Sequence, residues 1–332
     1  MDLVHLLYMK MSVRNQLITL IDQDAIPADK IDDALVIAKV TPSGTAWVTF
    51  INHLLVWLGG LALAFSVLFF IAYNWQDIGL FAQFAMVEVV IALAIAAYWK
   101  LGSDSVAAKV SLLMATIFVG VLLALYGQTY QTGADPWQLF FSWSLLILPW
   151  VLVGRFAAIW IVWILLVNTT LILYQQTFLN PFWLVFGSDT AMLWTVFLFN
   201  TLALAIWEFL TKTYHWLSVR GAIRLLAVAS GVSITWLVLH SIFEYGDTYA
   251  LAGLIWLAWM GTLYFVYRKM RPDLFMLAGG CLTGIVVVVS FFSKHMLDKW
   301  EAGALFFLSL LVVGLGSGAA VWLKKIHSEL SV

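Results

Sequence analysis

Long apolar runs alternate with short polar segments along most of this chain. A helix needs roughly 20 mostly apolar residues to cross the hydrocarbon core of a bilayer. Ten runs approach or exceed that length, and they cover residues 50–72, 80–99, 107–126, 137–154, 156–174, 190–210, 221–242, 249–267, 273–292 and 303–323. The pattern predicts an all-α, polytopic integral membrane helix bundle with about ten transmembrane helices.

The fourth and fifth runs are separated only by Gly154 and Arg155. This spacing predicts either a tight helical hairpin or one broken span.

Residues 1–46 have a different pattern and are the only stretch that resembles a soluble protein. Apolar residues at helical spacing predict helices near 4–21 and 29–39, with a break from Asp22 to Pro27. We expect a cytoplasmic helical segment, which is either a lead-in to the first span or a module that binds a partner. The predicted domains are residues 1–46, a transmembrane domain at 47–325 and a cytoplasmic tail at 326–332.

The composition agrees with a membrane protein, because the chain is 63% hydrophobic and 11% charged and contains 18 Trp. Soluble domains are closer to half apolar and about a quarter charged. Cys281 is the single cysteine, which excludes an intramolecular disulfide and a CxxC metal site.

The basic residues predict the orientation of the bundle. If the N-terminus lies inside, all but two of the 17 Lys and Arg residues fall in inner segments, and the exceptions are Lys294 and Lys299. Because basic residues collect in cytoplasmic loops, both termini are predicted to be cytoplasmic.

The outer loops are instead acidic. They contain Asp77, Asp135, Asp189, Glu244, Asp247, Asp298 and Glu301. This face could attract cations or a partner, or it could reflect only the exclusion of basic residues from that side.

Three spans end in a similar way, with a Tyr, an amide side chain and a turn that leads to an aromatic residue. The endings are Tyr73-Asn74-Trp75, Tyr126-Gly127-Gln128 and Tyr174-Gln175-Gln176. Such endings are explained by helix capping and by aromatic side chains at headgroup depth, or by tandem hairpin repeats.

These endings also carry a family resemblance. Ala72-Tyr73-Asn74-Trp75 and Gly127-Gln128-Thr129-Tyr130 resemble a bacterial family of predicted membrane proteins, domain of unknown function 2157. The resemblance covers roughly residues 15–170. It implies a polytopic inner-membrane protein and transfers no catalytic residue.

Glu88 is the most unusual single residue, because it lies near the middle of the second predicted span. A carboxylate at this depth costs at least a few kcal/mol unless it is neutral, paired or hydrated. We expect it to face the bundle, as a protonatable or cation-binding site or as one end of a hydrogen bond. The partners at a similar depth are Asn168, Thr169 and Asn200.

An outer-face site is a second candidate, built from Asp77, Gln128, Asp135, His240 and Glu244. His240 and Glu244 are four residues apart and share one helix face, but a zinc site normally needs three or four ligands. We therefore predict no metal and no cofactor.

Motifs for catalysis are missing from the sequence, which contains no G-x-S-x-G, no HExxH and no phosphate loop.

The leading functional hypothesis is a non-enzymatic envelope scaffold or accessory subunit, whose partners are the lipid bilayer and a membrane protein or further copies of itself. The alternative is a transporter or channel for a small solute or cation that uses Glu88. An intramembrane enzyme ranks last, and the scattered basic residues predict no binding of nucleic acid.

Overall fold

A computed structural model describes residues 13–38, 40, 43–73, 78–178, 190–244, 249–297 and 301–331. Within these residues every regular element is helical, which confirms the all-α prediction. Two short helices come first, α1 (Val13–Asp22) and α2 (Ile31–Ile37). The long helices are α3 (Gly44–Tyr73), α4 (Leu80–Leu101), α5 (Val106–Tyr130), α6 (Pro136–Gly154), α7 (Ala157–Thr177), α8 (Ala191–Leu210), α9 (Arg220–Phe243), α10 (Tyr249–Phe265), α11 (Leu274–Leu297) and α12 (Glu301–Ser331).

The number of spans agrees with the prediction. Among the described residues, ten helices, α3 to α12, are long and apolar enough to cross a membrane. Two differ in detail from the expected limits. The span that contains α10 continues through a π-helical turn, Val266–Met270, and α12 extends through most of the predicted tail.

Local sequence signals explain where several helices begin and end. α4 ends at Gly102, which has a positive φ of 77°. α5 begins after Ser105, whose hydroxyl accepts a hydrogen bond from the Ala108 N–H at 3.1 Å. α6 begins with Pro136 at its first position. Arg155 has a left-handed φ of 48° between α6 and α7, so the tight hairpin is the correct alternative there.

The described chain forms two compact units. The central unit is residues 53–255, and the terminal unit is residues 1–52 together with 256–332. In the central unit, helices that follow each other along the chain pack as pairs, α4 with α5, α6 with α7, and α8 with α9. α5 also packs on α6 and α7 on α8, and α9 is the most buried of the described spans.

The contact between α5 and α6 depends on one indole ring. Trp143 of α6 lies against Gly120 of α5, where an added Cβ would be 2.4 Å from the ring. The Trp143 indole N–H donates to the Thr116 carbonyl across the same interface at 2.7 Å. A small residue opposite a large aromatic ring therefore sets the close approach of these two helices.

In the terminal unit, α11 packs on α12. Tyr264 of α10 stacks on Trp322 of α12, with ring centroids 6.2 Å apart. Arg268, in the π-helical turn, forms an ion pair with Glu329 near the end of α12. These contacts join the end of α10 to the C-terminal helix.

Candidate functional site

Glu88 lies on the exposed side of α4, not on the packed side that the sequence suggested. The buried side of α4 consists of Gln83, Val87, Ala94 and Tyr98. Glu88 forms no hydrogen bond or ion pair with any other described residue. The structure thus leaves a carboxyl group in the middle of a membrane-spanning helix without a partner from its own chain.

The side chains that surround Glu88 on this face are small near the carboxyl group and large at the ends. Ala85 and Ala92, each about one turn away, are both exposed. Phe81 and Trp99 are exposed by 89% and 80% at the two ends of the helix. We call this surface, Phe81, Ala85, Glu88, Ala92 and Trp99, the Glu88 face.

Asn168 and Asn200, the expected partners of Glu88, bind each other instead. The Asn200 amide N–H donates to Asn168 Oδ1 at 2.7 Å, and the Asn168 amide N–H donates to Asn200 Oδ1 at 3.2 Å. Each amide also donates to a carbonyl of its own helix, Ile164 or Val196. The pair joins α7 to α8, and its donors are fully used.

The third expected partner, Thr169, donates its hydroxyl to the Leu165 carbonyl of its own helix at 2.9 Å. The arrangement that a solute pathway would need, with Glu88 beside these polar groups, is therefore not present among the described residues. Whether Glu88, Asn168 and Asn200 form a site stays a prediction.

Gln128, from the candidate outer-face site, lines a small groove where α4 begins and α5 ends. The groove has a volume of about 340 Å³ and is lined by Leu80, Gln83, Gln128 and Thr129. Gln83 is 5% exposed, and its amide donates to the Ile78 carbonyl at 3.0 Å. Gln83 was not among the residues predicted from the sequence, although a Gln within an apolar run is a signal that could have identified it.

The other outer-face candidates are dispersed. Asp135 precedes α6, and its backbone carbonyl accepts the Gln138 N–H at 3.0 Å. Asp77 lies outside the described residues. His240 Nε2 lies 3.2 Å from Glu244 Oε2, so these two do share the end of α9 as predicted.

The described residues contain no group of three or more His, Cys, Asp or Glu side chains that could hold a metal ion. His295 contacts the Phe291 carbonyl at 2.8 Å within its own helix.

A large cavity in the central unit was not predicted from the sequence. Its volume is about 760 Å³, and it lies between α7, α8 and the turn that follows α8. We call it the aromatic cavity, and its wall includes Arg155, Trp160, Trp163, Phe199, Trp207, Thr213, Tyr214 and Trp216. Trp residues near helix ends are common in membrane proteins, so their number did not distinguish a cavity from ordinary interface anchoring.

Residues 20–160 match the model of a family described as predicted membrane proteins, DUF2157. No curated protein and no solved structure matched the chain. The matched residues include the Glu88 face and the Gln128 groove, whereas Asn168, Asn200 and most of the wall of the aromatic cavity lie beyond them. The family match confirms the resemblance carried by the span endings near Tyr73 and Gln128. Over residues 20–160, this chain is similar to the predicted membrane proteins of domain of unknown function 2157.

Proposed function

We propose that this protein is a non-enzymatic scaffold or accessory subunit of the bacterial inner membrane, and that it assembles with a second copy of itself through the Glu88 face. The observation that carries the proposal is the exposed position of Glu88 on α4, with no partner among the described residues. The protein acts by holding membrane helices together.

A carboxyl group that faces lipid raises the free energy of the isolated protein. A charged side chain at the centre of a bilayer costs about 2.5–3.5 kcal/mol on insertion scales, and intramembrane acids normally pair with other polar groups. Lipid tails offer Glu88 no hydrogen bond. A protein surface that supplies one lowers this cost, so the free energy favours a covered Glu88 face.

A second copy meets this requirement through symmetry. Two copies with the same orientation are related by a twofold axis along the membrane normal, which brings both Glu88 side chains to the same depth. Two neutral carboxyl groups can then each donate one hydrogen bond and accept one. Ala85 and Ala92 allow the two α4 helices to approach closely on either side of this contact.

The proposed orientation places both termini in the cytoplasm. Ten spans put the two termini on one side of the membrane, and nearly all Lys and Arg residues fall on that same side. In this orientation α4 begins at the outer surface, and Glu88 lies about two turns below it.

Cysteine cross-linking in membranes tests the assembly. In a Cys281→Ser background, Ala92→Cys is expected to form a disulfide-linked dimer under mild oxidation. Val232→Cys serves as the control, because Val232 is 60% exposed on a different helix, α9.

Two substitutions of Glu88 then test whether hydrogen bonding by this side chain, and not its size, holds the two copies together. Glu88→Gln keeps a side chain that can donate and accept, and should preserve the cross-link at position 92. Glu88→Leu removes both abilities and should greatly reduce the cross-link. A cross-link that is absent from Ala92→Cys, or that is unchanged by Glu88→Leu, contradicts the proposal.

A further inference from the structure

The aromatic cavity follows one face of α8 for about three turns. The wall residues of α8 are Phe199, Leu202, Ala203, Ile206, Trp207 and Leu210. This spacing of three and four residues marks a single helix face, and it extends for about 16 Å at 1.5 Å per residue. The cavity is therefore long and apolar, a shape that fits a hydrocarbon chain better than a compact polar solute.

One end of the aromatic cavity is polar. Arg155, at the α6–α7 turn, and Thr213 and Tyr214, after the end of α8, all belong to the wall. Arg155 is the only charged residue among the described wall residues, and it forms no ion pair or hydrogen bond with another described residue. A ligand that enters the cavity thus meets a cation at one end and apolar side chains at the other.

The indole N–H groups of the wall differ in whether they have a hydrogen-bond acceptor. The Trp163 N–H donates to the Ser144 carbonyl at 3.1 Å, and the Trp207 N–H donates to the Leu217 carbonyl at 3.0 Å. Trp160 Nε1 is buried and has no acceptor among the described residues. A buried donor without an acceptor destabilises the protein, so a ligand oxygen that accepts from Trp160 would be favoured.

The rings around Trp160 fix its position. Its centroid lies 5.9 Å from Trp163, 6.4 Å from Trp207 and 6.3 Å from Trp216. These contacts limit the movement of the indole ring within the wall.

We propose that the aromatic cavity binds an anionic amphiphile with a single apolar chain. The chain lies along α8, and the oxyanion, a phosphate or a carboxylate, accepts hydrogen bonds from Arg155 and Trp160. Guanidinium and indole groups only donate, so the site prefers an anion to a neutral or cationic head group. The proposal does not depend on assembly through the Glu88 face.

Binding of defined probes to the full-length protein in a non-ionic detergent tests this site, with native mass spectrometry as the readout. Hexadecyl phosphate and palmitate should both bind. Hexadecanol and hexadecyltrimethylammonium, which have the same chain length, should bind at least about tenfold more weakly, as expected if a charge-assisted pair worth roughly 1.4 kcal/mol or more is lost. Inorganic phosphate alone should not bind, because it lacks the chain that fills the apolar part.

Variants of the wall identify the groups involved. Arg155→Gln should weaken binding of the anionic probes about tenfold and leave binding of hexadecanol unchanged. Lys100→Gln, at the end of α4, should change the binding of neither kind of probe. Arg155→Asn is the second variant, because Asn tolerates the left-handed backbone at this position. Trp160→Phe should weaken binding of the anionic probes with little effect on hexadecanol, and Trp236→Phe, at an exposed position of α9, is its control.

A third variant fills the apolar part of the cavity. Ala203→Phe should abolish binding of every probe, while Ala258→Phe, at an exposed position of α10, should have no effect. Equal binding of hexadecanol and hexadecyl phosphate would overturn the proposal, because the cavity would then accept any bilayer chain. Binding that is insensitive to Ala203→Phe would place the ligand elsewhere on the protein and overturn it as well.

Discussion

At the scale of single residues, polar side chains within the spans have two different arrangements. Asn168 and Asn200 satisfy each other and their own helices, whereas Glu88 is exposed and has no described partner. Sequence position gave the depth of all three residues in the membrane. It did not give their direction around the helix axis, because α4 and α7 are apolar on every side and neither has a distinct polar face.

The Asn168–Asn200 pair yields a measurable coupling energy. Asn168→Leu and Asn200→Leu should each destabilise the protein, because each leaves an amide without its partner. The coupling from a double-mutant cycle should lie between about 0.6 and 1.7 kcal/mol, the average and the maximum for interhelical hydrogen bonds in membranes. Unfolding free energies in bicelles measure it. Thr169→Val is the control, since Thr169 bonds only within its own helix, and a coupling near zero would contradict this assignment.

At the scale of helices, the length and position of the spans followed from the apolar runs, and Gly154-Arg155 indicated the hairpin between α6 and α7. The packing partners did not follow. The contact between Gly120 and Trp143 depends on which faces meet, and hydrophobic runs without an amphipathic period do not specify that. The aromatic cavity was not predicted for the same reason, since its wall combines residues from three helices, α6, α7 and α8, and from the turns that follow α6 and α8.

The Gly120–Trp143 contact predicts a steric effect. Gly120→Ala should destabilise the packing of α5 on α6 by about 1–3 kcal/mol, because the new methyl group would overlap the indole ring and force it to move. Thermal unfolding in detergent provides the measurement. Gly127→Ala lies on the same helix, where an added Cβ meets no atom within 4 Å. Equal effects of the two substitutions would show that the close approach is not tightly packed.

At the scale of the whole molecule, the even number of spans and the distribution of basic residues together predict the topology. In a Cys281→Ser background, Lys212→Cys should be protected from a membrane-impermeant maleimide in intact cells, and Thr132→Cys should be labelled. Labelling at position 212, or protection at 132, would reverse the proposed orientation. Protection of both sites would instead point to a different number of spans.

Self-association in a bilayer tests the central claim most directly. Single-molecule photobleaching of the labelled protein in liposomes counts the copies in each complex as the protein is diluted with lipid. The wild-type protein and Glu88→Gln should bleach in two steps over a range of dilution in which Glu88→Leu bleaches in one. Single-step bleaching of the wild-type protein at every dilution, or equal two-step fractions for wild type and Glu88→Leu, would contradict assembly through the Glu88 face.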